Sequence, residues 1–184
     1  INPYKIKGAL KILNIGRLVD QKDHLTLLKS ICLIKQKIKV ELIIIGDGIY
    51  KSKLEDFIKE NKLEKIVKIM SFKENPFPYL RLSELFVLTS KYEGLPNVLL
   101  EAMVLKKFII SSNCPTGPNE ILDRGNNGIL FKTGSYKLLA KKIIEYSKNK
   151  KRFKKKIYNS YRTLNRYNFN VKLDEYFIQI KRFF

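Results

Sequence analysis

Apolar and polar positions fall in blocks along the chain. Leu10-Lys-Ile-Leu-Asn-Ile15 is a short apolar run closed by Gly16. Val40-Glu-Leu-Ile-Ile-Ile45 is a second, closed by Gly46-Asp-Gly48. Short apolar runs bounded by glycine predict strands. Between them, Leu25, Leu28, Ile31, Cys32 and Ile38 recur at helical spacing behind Asp23, a capping residue. Leu54, Phe57 and Ile58 predict the inward face of a helix from Lys51 to Glu60. Further strands are predicted at Ile66 to Ile69, Leu85 to Thr89, Phe108 to Ser111 and Gly128 to Phe131. Asn75-Pro76 predicts a helix start, with Asn as cap and Pro in the first turn. Another helix is predicted from Asn97 to Lys106, and a helical turn through Glu120, Ile121 and Leu122. Everything from Ser135 onward reads as helix.

Strands alternating with helices imply an α/β fold with a doubly wound, Rossmann-like parallel sheet. The unbroken apolar stretch Leu42 to Ile45 fits a strand buried on both faces. A length of 184 residues suits one domain. The core is expected over about residues 9–135, with helical cover over 136–184. Val171, Leu173, Tyr176, Phe177, Ile180 and Phe184 predict a terminal amphipathic helix.

Charge narrows the choice of partner. Lys and Arg number 37 against 17 acids, a formal net charge of +20. That imbalance suits nucleic acid, an anionic membrane or a phosphorylated ligand. A uniformly Lys-rich surface gives the same numbers, since the lysines are spread along the chain. The densest stretch, Ser147 to Lys156, is predicted on a helix with Phe153 and Ile157. It is either a solvated face or an attractor of anionic lipid headgroups, at ~1 kcal/mol per base near the surface. A basic nucleic-acid- or membrane-binding module without catalysis is therefore the alternative reading. No nucleic-acid fold signature accompanies the charge, so nucleic acid is not the expected partner.

Cys32 and Cys114 form neither a metal knuckle nor a disulfide framework, which fits a reducing cytoplasm. No apolar run approaches the ~18 residues of a membrane span. The chain starts at Ile1 and reads as a piece of something longer. His24, the single histidine, is expected on the surface at a helix start. One histidine alone builds no zinc site and no base–nucleophile array.

The candidate chemistry lies in Ser90 to Met103, SKYEGLPNVLLEAM. Glu93, Gly94 and Pro96 form a turn between a strand and a helix, and Glu101 lies about one turn into that helix. Open α/β sheets bind ligands at such junctions. Carboxylates accept hydrogen bonds from the hydroxyl pairs of a sugar or ribose. Helix N-terminal amides near Pro96 to Val98 suit a phosphate. Gly16 turns the chain after the first strand, and Arg17 and Lys22 follow on the same edge. A guanidinium fork and an ammonium there suit a diphosphate. Gly46-Asp-Gly48 lacks the three glycines of the dinucleotide fingerprint and reads as a tight turn. Sugar, diphosphate and ribose in line outline a nucleotide-sugar.

Ser90-x-x-Glu93-Gly94-x-Pro96-x4-Glu101-Ala102 resembles the signature of the large retaining glycosyltransferase family with the GT-B fold (group 1, or family 4 type). Gly16-Arg17-Leu18-x3-Lys22 is similar to that family's diphosphate motif. Cys114-Pro-Thr-Gly-Pro-Asn-Glu-Ile-Leu122 and Asn75-Pro-Phe-Pro-Tyr79 resemble a subset that elongates bacterial surface or lipid-linked glycans. The resemblance covers roughly residues 9–135. It implies that Arg17 and Lys22 hold the donor diphosphate and offset leaving-group charge. Glu93 would meet the donor sugar and Glu101 the ribose. Gly16 and the backbone of Gly94, Leu95, Pro96, Asn97 and Val98 would complete the grip, with Phe72 and Lys73 at the nucleobase. The Pro115 to Glu120 loop would border the sugar. The donor would be a UDP- or GDP-sugar, no metal would be needed, and the anomeric configuration would be retained. The family's first domain, which carries the acceptor side and a histidine, has no counterpart here. The resemblance thus implies the C-terminal, donor-binding half, binding a nucleotide-sugar weakly and inactive by itself. The acceptor, a glycan or lipid-linked glycan, would sit on the missing domain.

Overall fold

The computed structural model describes residues 2–168. The apolar runs form six strands: β1 (Leu10–Ile15), β2 (Val40–Ile45), β3 (Val67–Met70), β4 (Leu85–Leu88), β5 (Phe108–Ser112) and β6 (Ile129–Phe131). They make one parallel sheet in the order β3-β2-β1-β4-β5-β6. Seven helices connect and cover them: α1 (His24–Ile34), α2 (Lys51–Glu60), α3 (Phe77–Leu82), α4 (Asn97–Val104), α5 (Pro118–Ile121), α6 (Tyr136–Lys148) and α7 (Lys154–Arg162).

All six residues of β2 are buried. Successive side chains point to opposite faces, so an unbroken apolar strand needs cover on both. Leu42 and Ile44 join one cluster with Leu28 and Ile31 of α1, Leu54 of α2 and Ile143 of α6. Ile43 and Ile45 join the other with Leu80 of α3, Leu99 and Met103 of α4 and Ile121 of α5. Glu41, polar in the same strand, is satisfied by the N-terminal arm: its carboxylate accepts from the Lys5 and Ile6 backbone N–H groups at 2.8–2.9 Å.

The core extends further than the pattern implied. Leu139, Ile143 and Tyr146 of α6, and Phe153 after it, are buried in the same cluster as β1 and β2. Phe108 stacks on Tyr146 with centroids 4.4 Å apart and meets Phe153 at 4.8 Å. The segment after residue 135 is thus a structural layer, not a cover over a finished core. Nor is Ser147 to Lys156 one helix. α6 stops at Lys148, a 3-10 turn spans Lys150–Phe153, and α7 begins at Lys154. Phe153 in the 3-10 turn is buried, and Ile157 of α7 packs against the same core cluster.

Smaller differences lie at element ends. β3 is shifted one residue along, Thr89 falls outside β4, and Ser112 extends β5. α4 stops at Val104 rather than Lys106, which takes φ 54°. The N-cap of α3 is Pro76 rather than Asn75, whose side chain lies one residue earlier and accepts from the Phe77 N–H at 3.1 Å. The predicted stripe from Val171 to Phe184 lies outside the described residues. Among the described residues, no helix is long and apolar enough to cross a membrane.

Candidate functional site

The strand order reverses direction between β1 and β4, and there the sheet opens. β1 pairs with β2 along six positions but with β4 only at Ile12↔Leu85 and Leu13↔Phe86. Beyond that, the Asn14 side-chain amide donates to the Val87 carbonyl at 2.9 Å, spanning the divergence. Its Oδ1 is buried with no partner among the described residues. A crevice outside the carboxyl ends of two diverging strands is the ligand position of doubly wound sheets. The polar interruption in LKILNI is the sequence signal of this opening, and the sequence reading missed it.

The turn after β1 carries Gly16, Arg17 and Lys22. Gly16 N–H donates to Ile45 O at 3.0 Å, and Leu18 N–H to Asp47 O at 2.9 Å. The turn is thereby fastened to Gly46-Asp47-Gly48. A Cβ on Gly46 would lie 2.0 Å from the Gly16 carbonyl oxygen, and one on Gly48 2.4 Å from that of Leu18. The two glycines therefore allow close packing of adjacent turns. Arg17 is exposed and has no ion-pair partner among the described residues.

The turn after β4 meets the first turn directly. Lys22 Nζ lies 2.6 Å from Glu93 Oε1, with side-chain exposures of only 15% and 6%. Ser90 Oγ donates to the same carboxylate oxygen at 2.5 Å. Thr89 Oγ1 donates to the Lys22 carbonyl at 2.9 Å, and Lys91 N–H to Gln21 O at 2.8 Å. Lys22 and Glu93, assigned from the sequence to the diphosphate and the donor sugar separately, form one largely buried ion pair.

Gly94, Leu95 and Asn97 are exposed, Pro96 is buried and Val98 half-buried. α4 begins with no side-chain cap, so its first N–H groups remain available at the crevice end. Glu101 stands one turn in. Its Oε2 is buried without a partner among the described residues, and burial raises its carboxyl above the usual range.

Two outer segments complete the edge. Phe72 and Lys73 follow β3, and Phe72 N–H donates to Asp47 Oδ2 at 2.7 Å. The Phe72 ring is 70% exposed, a flat apolar face on the far side of the crevice. After β5, the Thr116 hydroxyl donates to the Glu93 carbonyl. Gly117 has φ +73°, and a Cβ there would lie 2.2 Å from the Gly94 carbonyl oxygen. The loop after β5 is thus packed against the turn carrying Glu93. The residues named from the sequence for donor binding lie at this one edge, and Asn14 and Thr89 join them.

His24 is a correction. It is buried, 2% exposed, not on the surface. Asp23, at φ 45°, caps α1 by accepting from Thr26 N–H at 3.3 Å, and the histidine is the first residue of the helix it caps. Burial and the nearby Lys22 hold its imidazole down at about 4, so it is neutral at pH 7. Neither ring nitrogen has a partner among the described residues.

The family model for glycosyl transferases group 1 matches residues 2–163. The chain belongs to this family. A Campylobacter jejuni relative, N-acetylgalactosamine-N,N'-diacetylbacillosaminyl-diphospho-undecaprenol 4-alpha-N-acetylgalactosaminyltransferase, is 30% identical over 148 residues, covering 79% of this chain and 40% of its own. Staphylococcus aureus TarM superposes with a TM-score of 0.84 at 25% identity, over 96% of this chain and 36% of that one. The C-terminal domain of the group 1 glycosyl transferase LpcC from Francisella tularensis superposes at 0.75 and 23% identity, over 85% of each chain. The fold is therefore that of a group 1 C-terminal domain, as the GT-B resemblance implied. The chain spans 29–40% of the length of the curated relatives it matches first.

Proposed function

We propose that this chain is the donor-binding half of a retaining glycosyltransferase that takes a UDP- or GDP-sugar. Its acceptor is a lipid-linked or surface glycan bound by a further domain. The observation that carries the reading is the buried, unpartnered Glu101 oxygen beside the uncapped start of α4. A carboxylate so placed lacks a donor pair, and a ribose supplies one through its two hydroxyls.

The remaining roles follow from position along the edge. Phe72 and Lys73 receive the nucleobase beyond β3. Gly16, Arg17 and Lys22 hold the diphosphate, with the backbone of Gly94, Leu95, Pro96, Asn97 and Val98 donating from the helix start. Glu93 faces the donor sugar. As the glycosidic bond to the diphosphate breaks, negative charge grows on the leaving oxygen. Arg17 and Lys22 stabilise it electrostatically, so no divalent metal is required. Lys22 shares its charge between Glu93 and the diphosphate, coupling sugar position to leaving-group stabilisation. The activity named for the Campylobacter relative, transfer onto a diphospho-undecaprenol glycan, supports the lipid-linked acceptor.

A thermal-shift panel of nucleoside diphosphates and their sugars tests the donor reading. At 100 Kd of ligand the chain should gain ~2.7 kcal/mol, a rise of roughly 5–10 °C for a domain of this size. If neither UDP, GDP nor any of their sugars shifts the melting temperature, the proposal fails.

A further inference from the structure

A second polar cavity, of about 710 Å³, lies between the turn entering β6 and α7. The basic side chains on its wall are Arg152, Lys155, Lys156 and Arg162, against one acid, Asp123. That acid is already engaged, accepting from Asn126 Nδ2 at 3.2 Å. Buried Asn127 donates to Thr163 Oγ1 at 3.0 Å and fixes the opposite wall. Lys156 Nζ donates to the Gly125 carbonyl, and burial holds its ammonium below the usual lysine range. Among the described residues, Arg152, Lys155 and Arg162 have no carboxylate partner. From Tyr146 to Arg162 there are eight Lys and Arg and no acid.

Like charges gathered around a concavity repel unless an anion is present. Arginine forks match phosphoryl oxygens in particular. Tyr158 lies beside the cavity's basic wall, on the helix face of Lys155 and Arg162, with the Arg162 guanidinium 5.8 Å from its ring. Tyr158 is 59% exposed, and Tyr161, two turns after Lys154, is 43% exposed. Exposed tyrosine among bases is the composition that settles in a headgroup layer, ring inward and hydroxyl in water. A single concavity, rather than a continuous basic track, fits one headgroup better than a nucleic-acid backbone.

We propose that this cavity is a docking site for the phosphate headgroup of an anionic phospholipid, seating the domain on a membrane surface through α7. The proposal is independent of the donor site.

Flotation of the 184-residue chain with vesicles tests it. At about 0.15 M salt, vesicles with roughly 30 mol% phosphatidylglycerol should carry the protein, and pure phosphatidylcholine vesicles should not. Arg152→Gln with Arg162→Gln should weaken capture about tenfold or more. Lys59→Gln with Lys65→Gln, an equal charge loss on an exposed surface elsewhere, should change it less than about twofold. Tyr158→Ala, a single exposed substitution, should also weaken capture. Equal loss in the two double variants would show bulk charge attraction and overturn the site. So would absence of capture by the anionic vesicles. A melting shift from inorganic phosphate, abolished in the Arg152/Arg162 variant but without vesicle capture, would replace the lipid with a soluble anion. Displacement of bound vesicles by a short oligonucleotide that itself binds more tightly would assign the surface to nucleic acid instead.

Discussion

Lys22 Nζ and Glu93 Oε1 lie 2.6 Å apart and largely out of water, joining the turns after β1 and β4 across the switch point. The pair is structural before it is catalytic, because each residue would otherwise be a lone buried charge. Either Lys22→Ala or Glu93→Ala should cost ~2–4 kcal/mol of stability, since each strands its partner. The double variant should cost less than the sum, with a coupling of ~1–3 kcal/mol. Urea denaturation of the four proteins checks this. Additive losses would mean the contact contributes nothing.

Glu101 carries the opposite signature, a carboxylate that the fold tolerates but does not satisfy. Its pKa is raised in the folded chain, so folding is favoured while the group is protonated, and that advantage is lost as pH rises through the folded value. Glu101→Gln removes the penalty. The variant should melt higher than the parent at pH 7 in buffer alone, and the two should converge below the ordinary glutamate range. The same variant should bind a nucleoside diphosphate about tenfold to a hundredfold more weakly, through loss of charged acceptance from the ribose. Paired melting and titration curves separate these effects. Lower stability together with unchanged binding would remove Glu101 from the site.

The sheet was legible because each strand is a short apolar block with glycine or polar residues at its end. The site was legible because two acids, two bases and an uncapped helix start fall at strand ends. What could not be read was whatever depends on contact between distant segments. Nothing in the sequence pairs Lys22 with Glu93, since their neighbours differ and the approach is fixed by the β1–β4 pairing. His24 was misplaced because a histidine at a helix start is usually solvated, and its burial comes from tertiary packing that no local pattern shows. Phe153 and Ile157, four residues apart, marked an apolar face among the lysines, but nothing in that periodicity showed the break between α6 and α7.

Burial of His24 makes a pH prediction. Its imidazole falls from the ordinary 6.5 to about 4 on folding, so between those values the unfolded chain binds the extra proton. The stability that depends on neutral His24 is complete above pH 6.5 and drains away as pH falls towards 4. At pH 4 the loss amounts to on the order of 3 kcal/mol. His24→Leu should flatten the stability profile over this window whatever its effect at pH 7. Denaturant midpoints at several pH values read the slope directly. A parallel slope in parent and variant would place the acid sensitivity on other groups.

Gly117 and Gly134 offer a matched pair for the loop that backs the Glu93 turn. Both have left-handed φ, +73° and +75°. A Cβ on Gly134 meets nothing within 4 Å, whereas one on Gly117 lies 2.2 Å from Gly94 O and 2.6 Å from Pro96 Cδ. Gly134→Ala should therefore cost only the left-handed backbone penalty, ~1–2 kcal/mol, and leave nucleotide binding intact. Gly117→Ala pays at least that penalty, because its ψ of −77° lies outside the left-handed well, and must also push the Gly94–Pro96 turn away. It should lose stability beyond Gly134→Ala by ~1–3 kcal/mol and weaken nucleoside diphosphate binding as well. Chemical denaturation and ligand titration of the two variants side by side provide the comparison. Equal costs would show that the loop after β5 yields freely, and that its packing does not hold the Glu93 turn in position.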